Sequence, residues 1–183
     1  MREVECKMQV ASDQVEILAC RIQDVLSEIE LREVHKEDVY FSKDGVTADF
    51  RVRISDDSVL VTRKVKELRT DGVEINEEIE FSVLRESVGQ LNQFFASLKF
   101  LPSIQKYKRG KLWRRDTLTV ELVNVKFLGW FLEIEFLLPN SATVQQIDES
   151  VKLLSSLRRQ LGVDTLPVES RYYIDMLQEV KNR

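Results

Sequence analysis

Charged and apolar side chains alternate along several short segments of the sequence, and this alternation limits the available folds more than any other feature. In EVECK near the start, Glu3, Glu5 and Lys7 occupy every second position, with apolar residues between them. In FRVRI, Arg51 and Arg53 alternate with apolar residues in the same way. Because successive side chains of a strand point to opposite faces of a sheet, each segment predicts a strand with one charged and one apolar face.

Later segments repeat the pattern, and the charges on one strand face tend to share one sign. They are Lys64 in VLVTRKV, Glu78 and Glu80 in NEEIEF, Lys106 and Lys108 in IQKYK, and Glu133 and Glu135 in WFLEIEFLL. A sheet whose charged face meets water is one explanation. However, like charges two residues apart on one face repel each other. A sheet closed into a barrel, with strands of opposite sign facing one another across a lumen, explains the segregation better.

A charged lumen predicts a charged guest. Unpaired charges in a narrow, partly dry cavity cost several kcal/mol each. A polyanion together with a divalent metal would satisfy both signs, since carboxylates suit Mg²⁺ or Mn²⁺ and Arg and Lys suit phosphate oxygens.

Apolar residues at helical spacing predict three helices, within 13–29, 88–98 and 147–161, and the tail ESRYYIDMLQEVKNR predicts a short fourth. Asp13, with Glu16 three residues later, is a candidate cap for the first helix. Asp-Gly at 44–45 and 71–72 and Arg-Gly at 109–110 predict turns. The fold class is therefore α+β, with a large and mostly antiparallel sheet.

The composition limits the partners. The 183 residues suit one domain, over 1–183. The net charge of −4, from 27 basic and 31 acidic residues, gives no overall basic footprint for nucleic acid or acidic lipid, so any anion binding must come from local arrangement. We expect no membrane partner and no sequence-specific nucleic acid. No apolar run approaches the ~18 residues of a membrane span. Two cysteines, Cys6 and Cys20, without metal-ligand spacing, predict buried thiols in a cytoplasmic protein.

EVECK also matches the ExExK signature of the CYTH superfamily, the triphosphate tunnel metalloenzymes, and later segments resemble that family in the same order along the chain. They are EDVYF, FRVRI, VTRK, EEIEF, VNVKFLGWFLEIE and SRYYIDML. The resemblance implies a closed antiparallel eight-stranded β-barrel with flanking helices, and a substrate that contains a triphosphate. The family includes triphosphatases and class IV adenylate cyclases.

Carried over by position, the resemblance also implies roles for individual residues. Mg²⁺ or Mn²⁺ would be held by Glu3, Glu5, Glu78, Glu80, Glu133 and Glu135. The triphosphate would be bound by Arg51, Arg53, Lys64, Lys106 and Lys108. Arg109 is an alternative ligand in the same segment as Lys106 and Lys108. Lys7 would lie near the attacked phosphorus and, with Glu5, take part in catalysis.

Two positions depart from the family pattern. Asn76 stands where an Arg is usual, and Val123 stands where an acidic residue is usual. Glu121, on the same strand parity as Val123, is a candidate to replace the missing carboxylate.

Three functions fit these residues: a metal-dependent triphosphatase, a class IV adenylate cyclase and a non-catalytic polyphosphate-binding module. We rank the triphosphatase first, because hydrolysis needs only the triphosphate and water. The two departures from the family pattern favour the binding module. A homodimer is also left open.

Overall fold

Eight antiparallel strands close into a barrel in the computed structural model, which describes residues 1–45, 47–55, 58–69 and 72–182. Around the barrel the strands follow the order β1-β5-β4-β3-β2-β6-β7-β8. Their bounds are β1 Arg2–Val10, β2 Leu31–Ser42, β3 Phe50–Ser55, β4 Val59–Leu68, β5 Glu74–Val83, β6 Leu101–Arg115, β7 Leu118–Val125 and β8 Gly129–Leu138. The predicted α+β class and the closed eight-stranded barrel are confirmed.

The described residues also form four α-helices, in the regions that the helical spacing predicts. They are α1 Val15–Val25, α2 Val88–Ser97, α3 Val144–Gln160 and α4 Tyr173–Lys181. None of them has the length and apolar character to cross a membrane.

Strand register places the charged residues on the inner face. Glu5 lies opposite Glu135 on β8 and opposite Glu74 on β5, and Lys7 lies opposite Glu133. Because side chains directly opposite one another lie on the same face of a sheet, the charged residues of neighbouring strands share the lumen.

The apolar face of the barrel points outward and is covered in part by helices. Helices α1 and α3 bury Ile22 and Leu154 against the outer face of β1, β7 and β8, where Met8 and Leu132 are fully buried. Burying each large aliphatic side chain stabilises the fold by roughly 1.5–3 kcal/mol. This packing fixes the strands that carry most of the lumen carboxylates.

Helices α2 and α4 pack elsewhere. Helix α2 places Phe95 against Phe41 and Phe50 on β2 and β3, with ring centroids 5.1 and 4.6 Å apart. Helix α4 buries Tyr173 against Phe131, whose ring centroid is 5.0 Å away. By strand parity Phe131 belongs to the inner face, so α4 packs across one end of the lumen.

Three local predictions are wrong. Asp13 does not cap α1, because it lies in a 3₁₀ turn that precedes the helix, and the capping box forms instead at Thr143 of α3. Arg109 and Gly110 are not in a turn but within β6; Gly110 is needed there because a Cβ would lie 2.2 Å from the Leu122 carbonyl oxygen. Cys6 is buried as expected, but Cys20 is exposed because it faces away from the apolar side of α1. The Asp-Gly turn at 71–72 includes a residue outside those described.

Candidate functional site

The lumen contains a cavity of about 590 Å³ lined by charged side chains from all eight strands and by residues of α4. Its charged lining residues are Glu3, Glu5, Lys7, Lys36, Asp49, Arg51, Arg53, Lys64, Glu74, Glu78, Lys106, Lys108, Glu121, Glu133, Glu135 and Asp175. The volume is within the range of small-molecule sites. Acidic and basic side chains are not evenly mixed within it.

Three cations surround one carboxylate on β2. Asp38, which is fully buried, accepts two hydrogen bonds from the Arg53 guanidinium, at 2.7 and 3.0 Å. The ammonium of Lys106 lies 2.7 Å from Asp38 Oδ2, and Arg51 lies 3.7 Å from the same oxygen. Although burial opposes it, these cations hold the pKa of Asp38 well below its usual range. We call Asp38, Arg51, Arg53 and Lys106 the cationic cluster.

The opposite arrangement, one cation among several carboxylates, occurs where β1 meets β4 and β5. The Lys64 ammonium donates to Glu3 at 2.9 Å and to Glu5 at 2.8 Å, and it lies 3.6 Å from Glu78. Burial, which outweighs the Lys64 charge, raises the pKa of Glu3 to about 7, and Glu5 and Glu78 add to the rise. Lys64 and Lys7 overcome burial at Glu5 and lower its pKa to about 2.

Glu135 belongs to the same acidic region, but no described cation contacts it directly. Among the described residues it forms neither a hydrogen bond nor an ion pair, although only a small part of it reaches solvent. Burial, followed by repulsion from Glu3 and Glu5, raises the pKa of Glu135 to about 8. We call Glu3, Glu5, Glu135 and Lys64 the acidic cluster, in which one ammonium faces three carboxyl groups.

A third group joins β6, β7 and β8 to α4. The Lys108 ammonium lies 2.8 Å from Glu121 and 2.6 Å from Glu133, and Lys36 also pairs with Glu121. The hydroxyl of Tyr173 donates to Glu133. Burial and the Glu133 charge hold the pKa of Tyr173 well above its usual range, so this hydroxyl keeps its proton.

Lys7 lies at the end of the lumen that α4 covers. Its ammonium donates to the carbonyl oxygen of Arg171 at 2.8 Å and lies 3.7 Å from Glu74, which Lys66 also approaches at 2.6 Å. The Tyr173 ring lies within 4.9 Å of the Lys7 ammonium. The segment before α4 therefore holds the lysine that the family pattern places near the attacked phosphorus.

The structure brings most of the predicted site residues together. Those that line the cavity are Glu3, Glu5, Lys7, Arg51, Arg53, Lys64, Glu78, Lys106, Lys108, Glu133 and Glu135. Glu80 differs, because it is exposed and accepts a hydrogen bond at 2.7 Å from Thr62 at the cavity wall. Arg109 faces the outside of the barrel, so the basic residues of β6 in the lumen are Lys106 and Lys108.

The two departures from the family pattern also lie inside the barrel. Asn76 is fully buried and its amide donates to Glu5 at 3.2 Å, so it supports a carboxylate where the family pattern has a cation. Val123 is fully buried, on the inner face opposite Phe131. Glu121 does not join the acidic cluster, because Lys36 and Lys108 neutralise it.

Sequence reasoning missed four residues of the site: Lys36, Asp38, Glu74 and Tyr173. Lys36 and Asp38 share strand parity with Tyr40, but they stand in the run HKED, where charge at every position hides the alternation. Glu74 lies at the start of its strand, and Tyr173 lies on a helix that period-two reasoning does not place in a lumen.

The acidic cluster fits a divalent cation in its chemistry. Glu3, Glu5 and Glu135 offer the carboxylate oxygens that Mg²⁺ and Mn²⁺ prefer, and their mutual repulsion is what a bound cation would relieve. Within 1–45, 47–55, 58–69 and 72–182, however, no three metal-binding side chains are gathered into a ready site. The Lys64 ammonium lies between Glu3 and Glu5 and neutralises them.

The model of the CYTH domain matches residues 1–173 of this chain. The chain belongs to the CYTH family. The family resemblance predicted from the motifs is thus confirmed over nearly the whole chain. No curated protein matches the chain by sequence.

Solved structures share the fold. The protein PH1012 from Pyrococcus horikoshii is 25% identical, with a TM-score of 0.72 over 94% of this chain and 98% of that one. HpAC1 from Hippeastrum, described as a proposed adenylyl cyclase with a dominant triphosphatase activity, is 17% identical, with a TM-score of 0.65 over 97% and 96% of the chains. A proposed adenylate cyclase from Vibrio parahaemolyticus is 13% identical, with a TM-score of 0.67 over 96% and 97%.

Proposed function

We propose that this CYTH protein hydrolyses a triphosphate in the lumen with the help of Mg²⁺ or Mn²⁺. The observation that carries the proposal is Glu135, a carboxyl of the acidic cluster that forms no hydrogen bond or ion pair with a described residue and that the charges of Glu3 and Glu5 repel. A buried carboxylate without a partner is costly. It is therefore expected where a ligand brings the missing positive charge.

The cationic cluster is suited to the phosphates. Arg51, Arg53 and Lys106 all pair with Asp38, and among the described residues only Arg51 also reaches a second carboxylate, Glu78 at 3.8 Å, so this side of the lumen has an excess of positive charge. Guanidinium groups bind phosphate oxygens with two parallel hydrogen bonds, and an ammonium binds them as a point charge. Lys108, shared between Glu121 and Glu133, would extend this binding surface.

Glu3, Glu5 and Glu135 would hold the metal, and Glu78 and Glu133 lie close enough in the lumen to support them. When bound, the metal would neutralise charge on the transferring and leaving phosphate oxygens. Lys7 would stabilise the attacked phosphoryl group, since the Arg171 carbonyl and the Tyr173 ring hold its ammonium inside the lumen.

A class IV adenylate cyclase is the second candidate, and one observation favours it. Besides its charged residues, the cavity is lined by Tyr40, Tyr172, Ile174 and Gln178, which offer apolar contact and hydrogen bonds to an organic group. A nucleotide base would fit such a surface. Inorganic tripolyphosphate has no organic group that could contact this surface.

A product analysis separates the candidates. Tripolyphosphate, ATP, GTP and thiamine triphosphate are each incubated with Mg²⁺ or Mn²⁺, and orthophosphate, pyrophosphate and cyclic AMP are quantified. The proposal expects orthophosphate that disappears in chelator, while pyrophosphate with cyclic AMP from ATP identifies a cyclase. If no product forms but tripolyphosphate raises the Tm, the protein is a binding module.

Glu5→Gln should strongly lower kcat. The matched control is Glu77→Gln on the exposed outer side of β5, because it removes one carboxylate outside the lumen. Equal activity of the two variants would contradict the proposal. We also propose that residues 1–183 act as one CYTH-like domain in the cytoplasm, either as a monomer or as a homodimer.

A further inference from the structure

A second cavity, of about 710 Å³, lies on the outer wall of the barrel. It crosses β3, β2, β6 and β7, on the part of the wall between α1 and α2. We call it the outer groove; its lining residues include Tyr107, Arg109, Asn124, Lys126 and Phe127. The proposed hydrolysis gives these side chains no task, because Arg109, the one that the family pattern offered as a triphosphate ligand, faces away from the lumen.

Phe127 is the most unusual residue of the outer groove. It is 71% exposed, and its φ of +73° lies in the left-handed region. The Leu128 amide donates to the Val125 carbonyl at 2.9 Å, so Phe127 is the third residue of a β-turn. A positive φ at that position alone defines a type II turn, which normally has Gly there. A bulky residue in this conformation is strained, and such outliers point to a function.

The strained turn is held in a fixed position over β6. The backbone amide of Lys126 donates to the Tyr107 carbonyl at 3.0 Å. The Lys126 ammonium lies 5.3 Å from the centre of the Tyr107 ring and 5.1 Å from the centre of the Phe127 ring. Two accessible aromatic rings therefore flank one ammonium group, and the backbone bond presets their arrangement.

The outer groove is basic although the whole chain is acidic. Arg109 and Lys126 make no ion pair within the part of the chain that the structure describes. His35 and Arg85 add nitrogen donors along the groove, and Glu37 is the acidic residue among the described lining residues. The chain as a whole carries a net charge of −4. A local excess of positive charge on an acidic protein selects an anionic ligand.

We propose that the outer groove binds single-stranded nucleic acid, with bases stacked on Phe127 and Tyr107 and phosphates held by Lys126 and Arg109. Aromatic rings interleaved with cations are the arrangement that single strands need, because every unpaired base has a flat face and every linkage has a charge. The groove volume suits a nucleotide or two. Binding through the faces of bases and through phosphates tolerates any sequence.

The outer groove and the lumen are separate sites on the two sides of one wall. Lys36 and Lys108 line both cavities, but their ammonium groups pair with Glu121 inside the barrel. The groove ligand therefore relies on Lys126 and Arg109, and it does not require hydrolysis or a metal in the lumen. A failure of the proposed triphosphatase activity leaves this inference standing.

Fluorescence anisotropy with labelled oligonucleotides tests the proposal on the full chain in chelator. The probes are a twelve-nucleotide oligo(dT), an abasic strand of the same length and a duplex of the same length. We expect the single strand to bind with Kd on the order of 10 µM at low salt, and log K to fall by about 0.7 per phosphate contact with log salt. The abasic strand and the duplex should bind more weakly, because neither offers unstacked bases.

Two variants locate the site. Phe127→Gly should weaken oligo(dT) binding roughly five- to a hundredfold while keeping or raising the Tm, since Gly relieves the left-handed backbone. Lys126→Ala should weaken binding and reduce the salt slope by about 0.7. The matched controls are Phe94→Ala, which removes a 57% exposed ring from α2, and Lys152→Ala, which removes an exposed ammonium from α3; both should bind as wild type does.

Three results would overturn the proposal. The first is no binding with protein up to about 100 µM at low salt. The second is equal affinity for the abasic strand, which would show a polyanion site without base stacking. The third is a loss of oligo(dT) binding in Arg53→Ala as large as in Lys126→Ala, which would place the probe in the lumen.

Discussion

Replacing Asp38 by Asn tests whether the cationic cluster depends on one carboxylate. The substitution keeps the shape of the side chain and one oxygen acceptor but removes the charge that Arg53 and Lys106 approach at 2.7 Å. Because Asp38 is fully buried, solvent cannot replace that charge. Breaking a buried ion pair by removing one partner costs about 3–5 kcal/mol. We expect the metal-free, ligand-free Asp38→Asn protein to lose about this much stability.

The expected shift in Tm follows from the size of the chain. In proteins of about 150–250 residues, 1 kcal/mol changes the Tm by roughly 2–4 °C, so the Tm of Asp38→Asn should fall by about 6–20 °C. The value should lie in the lower half of that range, since the Asn amide oxygen can still accept from Arg53. The matched control is Asp148→Asn, whose partner Arg69 lies 3.2 Å away at the surface. An exposed pair contributes about 0–1 kcal/mol, so the control should move the Tm by no more than a few degrees.

The effect of tripolyphosphate on the Tm of Asp38→Asn is a second test of the cationic cluster. A phosphate bound by the cationic cluster would restore the missing negative charge, so it should raise the Tm of Asp38→Asn more than that of the wild type. Differential scanning fluorimetry with and without tripolyphosphate measures both effects. Equal losses in Asp38→Asn and Asp148→Asn would refute the argument for the cluster. A tripolyphosphate effect of the same size in both proteins would show that these cations do not meet phosphate.

The pH dependence of the Tm is an independent check on the charge of Asp38. The pKa of Asp38 is lowered in the folded state, so its contribution to stability is present above the unfolded pKa, near 4, and is lost as the pH falls through the lower folded value. The Tm of the wild type should therefore fall faster with acid than the Tm of Asp38→Asn. Parallel curves would mean that Asp38 has no ionic role.

Other substitutions separate binding from turnover. Arg53→Ala should mainly raise KM, because Arg53 would contact a phosphate that is already charged in the ground state. Glu5→Gln should mainly lower kcat, because Glu5 would act through the metal in the transition state. If each variant changed KM and kcat equally, these roles would be contradicted. Glu135→Gln should raise the Mg²⁺ concentration for half-maximal activity, by roughly tenfold or more, and an unchanged Mg²⁺ titration would exclude it as a ligand. Val123→Asp should lower the Tm by several degrees in the absence of metal, and Mg²⁺ should restore part of that loss. An identical loss of Tm with and without Mg²⁺ would show that position 123 does not reach the metal.

Strand parity was sufficient to predict which side chains share the lumen wherever a segment alternates cleanly. Arg51 and Arg53 in FRVRI and Glu133 and Glu135 in LEIE fall on the inner face for this reason. Strand parity was not informative where adjacent residues are also charged, as at Asp38 in HKED. In such a run no alternation of charged and apolar residues shows which side chains face the lumen. The segregation of like charges on strand faces already favoured a closed sheet, and the family resemblance supplied the number of strands.

Partners across the lumen were beyond prediction because they depend on the stagger between strands. Lys64 meets Glu3 and Glu5 although about sixty residues separate them, and only the order of strands around the barrel brings β4 near β1. Gly110 was misread for a related reason. Glycine often marks a turn, but here it allows the backbones of β6 and β7 to approach, and that contact exists only once the two strands are paired.

Each cluster in the lumen holds a counter-charge that a ligand can replace. Asp38 neutralises the cations that would bind phosphate, and Lys64 neutralises two carboxylates that would bind metal. Glu78 links them, since it lies 3.8 Å from Arg51 and 3.6 Å from Lys64. A triphosphate that enters alone adds negative charge beside the acidic cluster, and a metal that enters alone adds positive charge beside Lys64. Because each ligand offsets the repulsion that the other would meet, metal and triphosphate should bind more tightly together than separately, and by linkage each should raise the affinity of the other by the same factor.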